Sequence, residues 1–272
     1  MGDYGSNNFT LVYRWTADAG LEELGGIPGF THTLARAVSS DGSVMVGVAL
    51  REPDERQFVP FRWTEEDGFQ TLDLPDGVDD RAINVSGLNG DGSVILANAF
   101  QFDTMKWVNL RWLESEQRYS PYGTGAFSLT QPGDDAYIYT VSDEGVYAGS
   151  LSRRGFFSIA WTDELGVVDL HDYLRARGVD ASDWHIERIT PDGSTLVASI
   201  TMTPTRAALI TNFSLPANCL PDIDLNETLD AFDFLAFLDR FAEGDLRADL
   251  DGDGELTGAD LVAFQAAFDA GC

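Results

Sequence analysis

Basic residues are scarce in this sequence: Lys and Arg total 17 against 45 for Asp and Glu, a net charge of −28. Such a surface repels nucleic-acid phosphate and anionic lipid headgroups, which argues against both as partners. Lys106 is the single lysine. No apolar run reaches the length a membrane-spanning helix needs. Histidine is limited to His32, His171 and His185, far apart and without metal-ligand spacing. A Gly-x-Ser-x-Gly elbow, a phosphate loop and a His-Glu-x-x-His helix are all missing. Residues 1–8 lack the basic and apolar stretches of a secretion signal, the pattern expected of a mature form or a fragment. At 272 residues the chain has room for one large or two modest domains.

What is present is duplication. Asp222, Asp224, Asn226, Thr228, Asp230 and Asp233 stand at positions 1, 3, 5, 7, 9 and 12 of an EF-hand loop. Asp249, Asp251, Asp253, Glu255, Thr257 and Asp260 repeat that pattern 27 residues later (249 − 222). Oxygen ligands on alternate residues wrap a hard cation, with position 7 contributing its main-chain carbonyl, so two calcium sites are expected. Phe234, Phe237, Leu238 and Phe241 follow the first loop at helical spacing, and Leu261, Phe264, Gln265 and Phe268 the second, so two packed helices are predicted. The segment from residue 219 onward holds 14 acidic residues against Arg240 and Arg247, a density that predicts folding only with bound cation. The two cysteines, Cys219 and Cys272, bracket this segment. A disulfide there closes a loop worth about 4 kcal/mol in the chain-entropy model and belongs outside the reducing cytosol; the alternative is two unrelated buried thiols.

The preceding 215 residues repeat as well. Trp15, Trp63, Trp112 and Trp161 are 48, 49 and 49 residues apart, each closing a short strand. Asp41-Gly42, Asp91-Gly92, Asp143-Glu144-Gly145 and Asp192-Gly193 keep the same beat, each ahead of an apolar run, a hairpin signal. Each unit reads as a four-stranded antiparallel meander; the second has strands predicted near 35–39, 44–50, 59–64 and 70–74. After Trp112 the last strand looks degenerate. A period in the high forties is that of a β-propeller blade. The predicted fold is therefore an all-β, propeller-like domain of about four blades over 1–215, followed by a small α-helical calcium-binding domain over 216–272. Residues 13–24 supply two further strands and 186–213 about three, which either join into a closing blade or leave the ring incomplete. Gly47, Ala97, Gly149 and Ala198 share one repeat position and are predicted to crowd a central axis. Recurring Asp41, Asp91, Asp143 and Asp192 read as turn makers. Arg14, Arg62 and Arg111 read as blade-bracing ion-pair partners rather than a sialidase-like cluster.

These motifs carry two resemblances. Phe61-Arg62-Trp63-Thr64, Gly20-Leu21-Glu22-Glu23-Leu24-Gly25 and Asp41-Gly42-Ser43-Val44-Met45-Val46-Gly47 resemble extracellular HAF-type repeats over residues 10–213. That resemblance implies a secreted, mostly non-catalytic scaffold whose ligand is unknown, with glycan one class. Residues 219–272, ending Gly271-Cys272, look like a Cys-bracketed type I dockerin. This implies the two calcium sites above and a cohesin-like or cell-surface partner, met at loop positions 10 and 11: Ala231, Phe232, Gly258 and Ala259. Those two pairs differ from each other and lack the hydroxyls of cellulosomal dockerins. The favoured function is a non-catalytic extracellular scaffold tethered by this module in a polysaccharide-related setting. Its rival is a secreted carbohydrate-active enzyme with an acidic pair at the propeller mouth.

Position 6 separates the two loops, because the chain turns there with positive φ: Gly254 suits this and Glu227 does not. A left-handed non-glycine residue costs about 1–2 kcal/mol. Calorimetry is expected to find the Asp249–Asp260 site about tenfold tighter. Equal sites, or a tighter Asp222–Asp233 site, would contradict this.

Overall fold

In a computed structural model, residues 10–51, 57–78, 80–103, 106–121, 135–152, 156–162, 166–201, 206–215, 221–223, 228–244, 248–250 and 255–271 are described. The chain forms two compact units, Met1–Tyr122 and Gly123–Cys272. In the first, β1 (Val12–Thr16) and β2 (Gly20–Gly25) make a two-stranded sheet. Next come two antiparallel meanders: β3 (His32–Val38), β4 (Val44–Arg51), β5 (Gln57–Thr64) and β6 (Gly68–Thr71); then β7 (Ile83–Leu88), β8 (Val94–Gln101), β9 (Lys106–Leu113) and β10 (Arg118–Pro121). The second unit holds a third meander, β11 (Asp135–Val141), β12 (Tyr147–Ser152), β13 (Phe156–Thr162) and β14 (Gly166–Asp169). It continues with α1 (Leu170–Ala176) and a three-stranded sheet of β15 (Trp184–Ile189), β16 (Thr195–Ile200) and β17 (Arg206–Thr211). Last come α2 (Ala231–Glu243) and α3 (Gly258–Ala270). The partial units at the ends of the repeat contribute two strands and three strands.

Both faces of the second strand are buried wherever sheets stack, so β4 reads Val44-Met45-Val46-Gly47-Val48-Ala49-Leu50 without alternation. Val44, Val46 and Val48 pack with Ile83, Val85, Ile95, Leu110 and Trp112 of the following meander. Met45 and Ala49 join Val12, Phe61 and Trp63. In the second unit Ala148 and Ala160 share a core with Ile186, Leu196 and Ala198, closed by Leu170, Tyr173 and Leu174 of α1. Ile223, Phe237, Ala248 and Phe264 form a separate cluster between α2 and α3.

The shared small position lies opposite an irregularity of the first strand. The first pair of strands shifts register in every unit: between Ala35 and Ala37, Val85 and Gly87, Ile138 and Thr140, Ile186 and Arg188. Gly47, Ala97, Gly149 and Ala198 sit opposite these bulges. A bulge bends its own strand and disrupts the ladder locally. A Cβ on Gly47 would lie 2.0 Å from the Leu34 carbonyl oxygen, and one on Gly149 2.0 Å from that of Tyr137. The crowding at these two glycines comes from within the sheet.

Two further corrections concern strand ends. The strand after Trp112 exists: β10 pairs with β9 through Arg118–Leu113 to Pro121–Leu110. Gln117 takes the place five residues after Trp that Gly20, Gly68 and Gly166 hold in the other units, with φ of 52°. Its side-chain amide donates to the Glu114 carbonyl at 2.9 Å. Helix α1 was not foreseen. Asp169 caps it, accepting from the His171 and Asp172 amides at 2.8 and 3.3 Å.

Gly47→Val is expected to lower stability by about 1–3 kcal/mol, the range for overpacking a filled core. The urea midpoint should fall with its slope unchanged. An unchanged midpoint would remove the bulge explanation.

Candidate functional site

The repeated acidic turns come first, because they supply the most regular carboxylates. In the first, Asp41 Oδ1 accepts from the Ser43 amide (2.9 Å), the Ser43 hydroxyl (2.7 Å) and the Ser39 hydroxyl (2.7 Å). Ser39 Oγ in turn accepts the Val44 amide at 2.9 Å, which starts β4. Asn89–Asp91–Ser93 and Thr190–Asp192–Ser194 repeat the arrangement. These bonds hold Asp91 and Asp192 below the usual carboxylate range and take Asp41 down to about 2, with the Ser43 amide the largest cause there. A general acid needs the opposite shift. Gly42, Gly92, Gly145 and Gly193 all take positive φ, and a Cβ on Gly92 would also meet Val44 at 2.8 Å.

Asp143 departs from the predicted equivalence. Its turn is one residue shorter, with Ser142 Oγ accepting the Val146 amide directly. Asp143 therefore occupies the place of Ser40, not of Asp41. Both residues make the same contact from turn to turn: Ser40 N–H donates to Gly90 O and Asp143 N–H to Pro191 O, each at 2.7 Å.

The repeated arginines brace one sheet against the next. Arg14 stacks on Trp63, 5.3 Å from its ring centre, and pairs with Glu22 at 2.8 Å and Glu65 at 3.1 Å. Arg62 stacks on Trp112 at 5.9 Å and pairs with Glu114 at 3.1 Å. The same geometry recurs because adjacent strand residues point to opposite faces: each sheet offers its Arg to the following Trp and to the Glu two places beyond it. Arg111 is half-buried at the same position of β9.

A groove of about 1110 Å³ lies in this unit between Tyr13–Thr16, the Ser39–Val44 turn and Glu65–Asp67. Asp41, Glu65, Glu66, Asp67, Asp91 and Glu114 line it against Arg14 and Arg62. That wall disfavours anionic ligands and suits cationic or hydroxyl-rich ones.

At the C-terminal end, α2 and α3 are each 13 residues long and begin with the same capping box. Asp230 and Thr257, at loop position 9, are the N-caps; Asp233 and Asp260, at position 12, return a bond to them from the third helical residue. Asp233 Oδ2 accepts the Asp230 amide at 2.9 Å, and Asp260 Oδ2 the Thr257 amide at 2.8 Å. Asp260 Oδ1 also accepts the Leu250 amide at 2.9 Å. Asp222, Asp233 and Asp260 are buried. Buried carboxylates on an all-oxygen donor set fit a hard cation such as calcium. Thr228, Asp249 and Glu255 are also described, whereas Asp224, Asn226, Asp251, Asp253, Glu227, Gly254, Cys219 and Cys272 lie outside the described residues. Among the described residues no three His, Cys, Asp or Glu side chains gather as a metal group.

The predicted aromatic stripes divide. Phe237 and Phe264 stack at 4.7 Å and are buried, with Phe241 and Phe268 beside them. Phe234 and Leu238 are only partly covered, at 41% and 37% exposed, and Ala231, Phe232, Gly258 and Ala259 are exposed. Leu235 and Val262 extend that apolar surface, a feature the stripe pattern concealed because it assigned only one face to each helix. Asp172 of α1 lies 3.8 Å from Arg240 of α2.

No family description matches the chain, and no curated protein does. Among solved structures it is similar to TolB from Acinetobacter baumannii, with 12% identity over 74% of this chain and 46% of that one, at a TM-score of 0.47. It is also similar to prolyl oligopeptidase B from Galerina marginata, with 10% identity over 75% of this chain and 31% of that one, at 0.49. The β-propeller domain of the Trilobed protease from Pyrococcus furiosus gives 9% identity over 74% of each chain, at 0.39. The chain spans less than half the length of that TolB and about a third of that oligopeptidase. These scores carry no functional argument. The propeller-like repeat fold rests on the four-stranded meanders themselves. No helix among the described residues is long and apolar enough to cross a membrane.

The low Asp41 pKa has a signed consequence. Its ordinary value is 3.8 and its folded value about 2, so its hydrogen bonds stabilise the fold fully above the ordinary value and lose that effect as pH falls through about 2. Asp41→Ala should therefore melt below wild type at neutral pH, with the gap closing on acidification across that window. A gap independent of pH would contradict the turn assignment.

Proposed function

We propose that this protein is a non-catalytic, extracellular or cell-surface scaffold whose propeller-like repeat presents a binding surface and whose C-terminal module, resembling a dockerin, folds on calcium and docks to a partner. The observation that carries this reading is the duplicated loop–helix geometry. Twice, the position-9 residue caps a 13-residue helix while a fully buried position-12 aspartate answers it. An ordinary helix pair has no need of a buried carboxylate at the same place in both halves.

Asp222, Asp224, Asn226, Asp230 and Asp233, with the Thr228 carbonyl, would hold one calcium ion. Asp249, Asp251, Asp253, Thr257 and Asp260, with the Glu255 carbonyl, would hold the other. Calcium bound there offsets the repulsion among these carboxylates and ties each loop to its helix. A Cys219–Cys272 disulfide closes the module at its ends and goes with a secreted location. Its docking face is the exposed apolar surface of Ala231, Phe232, Leu235, Gly258, Ala259 and Val262, suited to a cohesin-like or cell-surface protein. The repeat resembles HAF-type units, about four blades in number, and polysaccharide is the ligand class that setting implies. The depressed carboxylates of the acidic turns favour binding over glycosidic general-acid chemistry.

Limited proteolysis of the whole protein with calcium and with EDTA tests the tether. EDTA is expected to expose residues 216–272 to cleavage while 1–215 stays resistant, and Asp260→Ala to reproduce the effect partially in calcium. Equal resistance in both conditions would overturn the proposal.

A further inference from the structure

The groove beside Arg14 and Arg62 is lined entirely by residues of the first unit, and its charge is unbalanced. Six carboxylates line it against two guanidinium groups, a net of four negative charges. Both guanidinium groups are already engaged, Arg14 with Glu22 and Glu65, and Arg62 with Glu114. Glu66, on the turn after β5, is exposed and makes no hydrogen bond or ion pair among the described residues. On the β1 side the wall is aromatic: Tyr13 is half-exposed and Trp15 is 68% exposed. Carboxylates attract an ammonium or guanidinium by charge, and an open aromatic ring attracts it through the quadrupole. The protein already uses that pairing internally, where Arg14 stacks on Trp63 while reaching Glu65.

Charge separates a cationic occupant from a neutral, hydroxyl-rich one. A neutral ligand would displace water from these carboxylates without compensating them, which costs free energy. A cationic ligand compensates them as it binds. The extent of the groove favours a chain over a small ion. It runs from β1 past the Ser39–Val44 turn to Asp91 and Glu114, and so borders three successive sheets. Asp41 and Asp91 hold equivalent places in neighbouring repeats, as do Glu65 and Glu114, so negative charge recurs along it. The 17 basic residues of the chain are scattered, with Arg153-Arg154 the one adjacent pair, so its own sequence holds no basic run to fill the groove.

We propose that this groove binds a basic, extended segment of a partner protein, whose arginine or lysine side chains lie among Glu65, Glu66 and Glu114, with one of them stacked on Trp15. The site goes beyond the scaffold reading, because it gives the repeat a protein ligand at a defined place. It depends neither on the calcium module nor on a polysaccharide ligand. With a net charge of −28 the whole surface attracts polycations at long range, and salt screens that attraction. The local carboxylates and the aromatic wall set the groove apart from the rest of that surface.

Titration calorimetry on the whole protein at physiological salt tests it, with an eight-residue peptide alternating arginine and serine as the probe. The matching glutamate–serine peptide and cellohexaose serve as comparisons. The arginine peptide is expected to bind and the glutamate peptide not to. Glu65→Gln/Glu66→Gln should weaken binding about tenfold, since two exposed charges are lost. Trp15→Ala should weaken it about two- to fivefold, the range of an exposed cation–π contact. Asp73→Asn/Asp76→Asn removes the same charge from exposed positions of the first unit outside the groove, and should leave affinity within about twofold. Unchanged melting temperatures will verify that each variant folds. No binding, or equal weakening by the two double variants, would overturn the proposal. Binding of cellohexaose that Glu65→Gln/Glu66→Gln abolishes, without binding of the arginine peptide, would overturn it in favour of a glycan site. None of these results bears on the EDTA response of residues 216–272, so the two proposals fail separately.

Discussion

A four-stranded sheet that is apolar on both faces cannot stand alone in water, and that constraint organises the repeat. The second strand of a meander such as β4 is buried from Val44 to Leu50, so each sheet needs a neighbour on either side. Tryptophan at a fixed place in the third strand fills the space between sheets, and the preceding arginine covers it while reaching a glutamate beyond. The ion pairs are half-exposed and add little by themselves. Their value is positional, since they fix one sheet's register against the next. Trp15, at the tryptophan position of β1, is exposed where Trp63 and Trp112 are buried.

Charge is handled locally. With 45 acidic residues and 17 basic ones, most carboxylates have no side-chain cation to meet. The repeat assigns several to its turns, where backbone amides and serine or threonine hydroxyls take the place of cations. The C-terminal helices assign others to their first turns, where the helix dipole favours negative charge. Burying Asp222, Asp233 and Asp260 goes beyond what caps require, and this separates the helix pair from a generic hairpin.

Much of this was legible in the sequence because its causes are local. Asp-Gly turns depend on a few adjacent residues, and the tryptophan period follows from the length of a meander, so most strands lie close to their predicted places. The helices after each acidic loop were equally readable, though their caps were not. The failures have non-local or compensated causes. Gly47 and Gly149 answer a bulge on the partner strand, which no single strand reveals. Gln117 adopts a glycine-like backbone, with its amide bonded to the Glu114 carbonyl, so a search for glycine passes over β10. Helix α1 follows β14 without a break and is too short to show a period. Asp143 matched the turn motif in composition while sitting one place out of register. Trp15 is indistinguishable from its buried counterparts in sequence, because its environment is set by what stands beside the sheet.

Amide hydrogen exchange tests the stacking account most directly. The account predicts that β4 and β8, each inside a stacked sheet of the first unit, exchange slowest and at similar rates, while β1 and β2 exchange far faster. Protection equal across β1, β2, β4 and β8 would show that sheet-on-sheet burial is not what holds the repeat together.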